Sequence, residues 1–63
     1  MLKTRDVIRA IRAAGWSLVR TTGSHQIYKH PSKPGHVVIP FHGMNHDIDV
    51  RTAHSILKKA GLR

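Results

Sequence analysis

Two stretches with apolar residues at helical spacing bracket three short strand-like ones, and that order leaves few folds open to so small a chain. In the first, Val7, Ile8, Ile11 and Ala14 recur on one face, with Leu2 placed to pack at its start. Thr4 is its expected N-cap, Asp6 falls in the first turn where the helix dipole favours a negative charge, and Gly15 is the expected stop. In the last, Ala53, Ile56, Leu57 and Ala60 mark the buried stripe, Asp49 is the expected cap with Thr52 as its rival, and Gly61 ends it. Residues 16–20, 24–29 and 36–40 read as strands. Thr21-Thr22-Gly23 joins the first two as a hairpin, and His30-Pro31-Ser32-Lys33-Pro34-Gly35 is a turn on composition. The apolar triplet Val37-Val38-Ile39 suits a well-covered strand, and residues 41–48 read as a polar, flexible loop. The order α-β-β-β-α predicts an α+β fold, a three-stranded antiparallel sheet with both helices on one face and the other face free for contact.

Sixty-three residues make one domain, residues 1–63, with one small core. Such a chain buries only about 60% of the surface it exposes when unfolded. It has no cysteine, so neither a disulfide framework nor thiolate zinc can compensate, and a reducing cytoplasm is the expected location. No apolar run approaches the roughly twenty residues of a membrane span, and the N-terminus has no signal-peptide character. No membrane partner is expected. Eleven Lys and Arg stand against three acids, a net charge of +8 with histidines neutral. On so small a body that excess favours a polyanion, because each neutralised phosphate releases counterions. An acidic protein partner is compatible with the same surplus. Arg5, Arg9 and Arg12 share the face roughly opposite the first apolar stripe, and Lys58 and Lys59 lie near the end of the last helix. All five are candidates for RNA contact, although an ordinary solvated face explains the arginine trio equally well.

The chemistry concentrates at Gly23-Ser24-His25, followed at once by Gln26-Ile27-Tyr28-Lys29. A strand start beside a glycine holds a side chain by sheet hydrogen bonds and leaves open space around it, with Gly23 and Ser24 as the positioning residues. Histidine is the one side chain whose ordinary pKa, roughly 6.5, lets it take or give a proton near neutrality. Strand alternation groups His25 with Ile27 and Lys29, and Ser24 with Gln26 and Tyr28. With Ile27 in the core, His25 turns the same way and lies at the sheet's edge beside a helix end. A bulge near the glycine reverses this.

Gly23-Ser24-His25 after a strand, then Tyr28, then Val38-Ile39-Pro40 with His42 two residues on, then Ile56-Leu57-Lys58-Lys59-Ala60-Gly61-Leu62, resembles the HicA toxin family. The similarity runs over essentially the whole chain. It implies a double-stranded-RNA-binding-domain-like fold and an RNA-cleaving toxin, an mRNA interferase paired with a HicB antitoxin in a type II toxin-antitoxin module of prokaryotes. It also implies that the histidine of Gly-Ser-His, here His25, is catalytic. Many relatives show Gly-Thr at the start of the last helix, where this chain has Arg51-Thr52.

Elimination narrows the chemistry. Two-metal phosphoryl transfer wants clustered carboxylates, and Asp6, Asp47 and Asp49 all stand near helix starts where capping accounts for them. His42 and His46 have a zinc-like spacing, but Gly43 and Asn45 between them argue for a loop and no third ligand is fixed. No metal and no cofactor are expected. Neither a nucleophile elbow nor a well-placed acid supports a serine triad. What remains is metal-free RNA cleavage, in which the substrate's own 2′-hydroxyl is the nucleophile. The enzyme need only remove that proton, protonate the leaving oxygen and steady the charged phosphorane. His25 suits the first task, with His42, Lys29 and Tyr28, in that order, as candidates for the others. Trp16 reads as core, and His30, His36, His46 and His54 as surface residues without a role. A non-catalytic RNA-binding module of the same fold explains the charge and the element order equally well. Only an enzyme makes the glycine-flanked histidine more than incidental.

Overall fold

The first apolar stripe folds as helix α1 (Thr4–Ala13), in a computed structural model that describes residues 2–62. It is preceded by β1 (Leu2–Lys3) and followed by β2 (Ser17–Thr22), β3 (His25–Lys29), β4 (Val37–Pro40), β5 (Asp47–Ile48) and α2 (Val50–Lys59). Thr4 is the first helical residue and Lys3 the cap position. The Asp6 carboxylate accepts the Lys3 N–H at 3.2 Å, while the Thr4 hydroxyl and backbone N–H both turn to the His46 carbonyl, at 3.0 and 2.8 Å. The expected cap is thus displaced by one residue: Thr4 is already helical, and its hydroxyl and N–H tie the start of α1 to the loop carbonyl of His46. Asp49 caps α2 as expected, its carboxylate accepting the Arg51 N–H at 3.0 Å. Both helices end alike. Trp16 N–H reaches the Ile11 carbonyl past Gly15, and Leu62 N–H reaches the Leu57 carbonyl past Gly61, closures that need the positive φ of those glycines.

β2, β3 and β4 form one antiparallel sheet with β3 in the middle. Val7, Ile8 and Ile11 of α1 and Ala53 and Ile56 of α2 join one core cluster with Tyr28, Val37 and Ile39, which share one face of that sheet. Both helices therefore lie on the same side, which is the predicted α+β arrangement. Trp16 seals it: the ring is buried and its indole N–H donates to the Ala60 carbonyl at 3.1 Å, joining the ends of the two helices.

Four readings change. Trp16 precedes the strand, and β2 runs on through Thr21 and Thr22, leaving Gly23-Ser24 as a two-residue hairpin turn. The triplet Val37-Val38-Ile39 is covered on one side only: Val37 and Ile39 are buried while Val38 is 43% exposed, because no layer backs the second face. The hairpin carries its bulge on β2 between Leu18 and Arg20, not beside Gly23. Finally, the end of the supposed loop pairs with the N-terminus, Leu2 opposite Ile48 and Lys3 opposite Asp47. Two residues a side show no period to read, and a Lys3–Asp47 ion pair of 2.7 Å reinforces the ladder.

Candidate functional site

His25 is the first residue of β3, exposed, one step past the Gly23-Ser24 turn. Gly23 sits at φ +58°, and a Cβ built there would meet nothing within 4 Å, so the space beside the histidine is open. Along β3 it is Tyr28 that is buried and Ile27 that is half-exposed. Alternation then sends Gln26 and Tyr28 toward the helices and His25, Ile27 and Lys29 to the open face. The side-chain parity left undecided by sequence is resolved by which of two adjacent apolar residues the helices cover.

The bulge on β2 adds a residue that sequence reasoning missed. Beyond it, Arg20 stands opposite Ile27 and Thr22 opposite His25, while Val38 and Pro40 flank the same two positions from β4. Directly paired residues point to the same side, so Arg20 joins His25 on the open face. It is a diagonal neighbour, roughly 7–8 Å away between side-chain roots and within reach of a long side chain. Simple alternation from Leu18 would have turned Arg20 toward the helices. No glycine marks the bulge, so nothing in the sequence signals it.

The proposed helpers of His25 separate. Phe41 N–H donates to the Ser24 carbonyl at 2.6 Å, which brings the chain after β4 alongside the hairpin turn and sets His42 at the His25 end of the sheet. His42 is exposed and meets His46 edge to face, ring centres 5.2 Å apart. Lys29 shares the open face but stands four residues along β3, about 13 Å away. Tyr28 is a correction. It is 2% exposed on the opposite face, its hydroxyl donates to Gln26 Oε1 at 2.8 Å, and burial raises its pKa, with the Arg12 charge partly offsetting. It is turned away from His25.

The three acids are engaged elsewhere: Asp6 and Asp49 at helix starts, and Asp47 with Lys3, whose hydrogen bond and charge hold the Asp47 carboxyl below its ordinary range. Among the described residues no three His, Cys, Asp or Glu side chains gather as a metal-holding group. His30 also needs correcting, since it is a structural pin and not a bare surface residue. Its Nε2–H donates to the Ala14 carbonyl at 2.9 Å, Nδ1 accepts the Ser32 N–H at 3.0 Å, and the ring packs edge-on against Trp16. The basic candidates divide as well. Arg5 donates to Asn45 Oδ1 at 2.8 Å, Arg9 and Arg12 line the flank of α1 on the helix side of the sheet, and Lys58 and Lys59 lie exposed in the last turn of α2.

A family model described as HicA toxin of bacterial toxin-antitoxin matches residues 4–62. The chain belongs to this family. No curated protein matches it in sequence. The HicA match takes in both helices, the hairpin with His25 and the loop with His42. Membership gives the chain a toxin's role and implies pairing with an antitoxin. Among the described residues no helix is long and apolar enough to cross a membrane.

Proposed function

We propose that this chain is a metal-independent endoribonuclease, the mRNA-cutting toxin of a type II module, acting in the cytoplasm and restrained by a HicB-like antitoxin. His25 takes the proton of a ribose 2′-hydroxyl. The 2′-oxygen attacks the adjacent phosphorus, and the bond from phosphorus to the 5′-oxygen breaks. His42, in its imidazolium form, gives that oxygen a proton, leaving a 2′,3′-cyclic phosphate on one fragment and a 5′-hydroxyl on the other. Arg20 sets its guanidinium on the non-bridging oxygens, where charge grows in the transition state. Gly23 and Ser24 hold the histidine at the turn, and Lys29 meets a phosphate further along the strand.

The observation that carries this reading is the joint exposure of His25 and Arg20 on the uncovered sheet face. A base and a cation on one face supply two of the three functions that metal-free transphosphorylation requires, and His42 at the same end of the sheet is the candidate for the third. Binding should rest on phosphates more than on bases, so affinity should fall steeply with salt. The test is to incubate the pure protein with a long RNA in EDTA and analyse the ends. Cyclic-phosphate and 5′-hydroxyl ends are expected. RNA that stays intact while still bound would identify a non-catalytic RNA-binding module, and loss of cutting in EDTA would identify a metal enzyme.

A further inference from the structure

Every residue of β2 is exposed, and on the helix side the uncovered strip between that strand and α1 forms a groove. Its inner part, about 420 Å³, has Ile8, Leu18, Phe41 and Met44 among its lining, with Arg12 at the rim. It continues past Arg12 and Met44 into a second hollow of about 500 Å³ bordered by Arg9. The polar groups of the floor are already matched, since the Tyr28 hydroxyl donates to Gln26. No acid of the chain answers the arginines: among the described residues the one ion pair is Lys3–Asp47.

We propose that this groove is the docking surface for the antitoxin, through an acidic amphipathic segment. Its apolar side chains fill the hollow over Leu18 and Met44, and its carboxylates pair with Arg9 and Arg12. The inference rests on the toxin-antitoxin pairing that the family implies. Charge complementarity selects an acidic occupant. The apolar lining selects protein over RNA, because a phosphate backbone uses the arginines but has nothing to bury against Leu18, Phe41 and Met44. A partner seated here lies against an edge strand whose other face carries Arg20, and from there it extends over β2 toward His25. Anchoring and chemistry thus occupy opposite sides of one thin sheet, so that substitutions can separate them.

The probe is the protein encoded by the adjoining reading frame, titrated against the full chain by calorimetry. RNA cleavage and thermal melting are measured on the same samples. The double variant Arg9→Glu, Arg12→Glu should weaken antitoxin binding by about 100-fold and Leu18→Asp by about 10-fold. Both should melt near wild type, and Leu18→Asp, at an exposed position on the face turned away from His25, should keep RNA cleavage within about 2-fold. Unchanged antitoxin affinity in both variants overturns the proposal. Loss of RNA binding with antitoxin affinity intact also overturns it and makes the groove an RNA surface. A wild-type chain with no affinity for the neighbouring protein, yet still cutting RNA, removes the pairing and the groove proposal together while leaving the nuclease reading in place.

Discussion

The two edge strands of the sheet have opposite fates. β4 turns Val37 and Ile39 into the core, at 1% and 0% exposure, and packs beneath α2. β2, at the other edge, is exposed along all six of its residues. A chain with a single small core does not cover three strands on one face, let alone two. The difference shows where folding free energy is concentrated and where side chains are left for other work. β4 carries the fold, whereas β2 carries a bulge, an outward arginine and the wall of a groove.

The largest effect should come from the covered edge. Ile39→Ala removes a fully buried side chain and should cost about 2–5 kcal/mol in urea unfolding. That is much of the roughly 3–9 kcal/mol expected of a chain this size at 0.05–0.15 per residue, so the variant should be partly unfolded at 37 °C. Two glycines sharpen the contrast at the next level. Gly15 sits at φ +100°, and a Cβ there would stand 2.7 Å from the His30 nitrogen that holds the Ala14 carbonyl; Gly15→Ala should cost about 2–3 kcal/mol, from backbone strain and the lost pin together. Gly23 also has a positive φ, +58°, but opens on empty space, so Gly23→Ala should cost only about 1 kcal/mol, from the backbone alone. Equal melting temperatures for the two variants would break the comparison. The smallest effect belongs to the uncovered edge: Leu18→Ala, at a residue already 47% exposed, should change stability by no more than about 0.5 kcal/mol.

Much of this architecture is legible in the sequence because helices declare themselves through stripes and stops. Val7, Ile8 and Ile11 against Arg5, Arg9 and Arg12 leave one orientation for α1, and Asp49 and Gly61 bound α2 closely. What is not legible depends on choices between near-equals. Ile27 and Tyr28 are adjacent and both apolar, so alternation alone offers two phases; the helices select Tyr28, whose hydroxyl finds Gln26 inside. That selection turns His25 outward and withdraws Tyr28 from any part beside it. The bulge at β2 is a backbone event without a glycine, which is why Arg20 escapes a pattern-based reading. The β1–β5 ladder is too short to show a period at all. His25 could be nominated from its turn and its chemistry, but its neighbours could not, since neighbours across a sheet are a matter of register.

The central claim is that the open face acts chemically through His25 while contributing little to the fold. It is tested most directly by the rate at which His25→Ala cuts RNA in EDTA, alongside its melting curve and RNA affinity. The variant should melt and bind near wild type, because an exposed side chain at a strand start is removed from a +8 surface, yet cleave about 10²–10⁴-fold more slowly. An alanine variant that cuts at close to the wild-type rate, or one that loses stability and binding in step with activity, would contradict it.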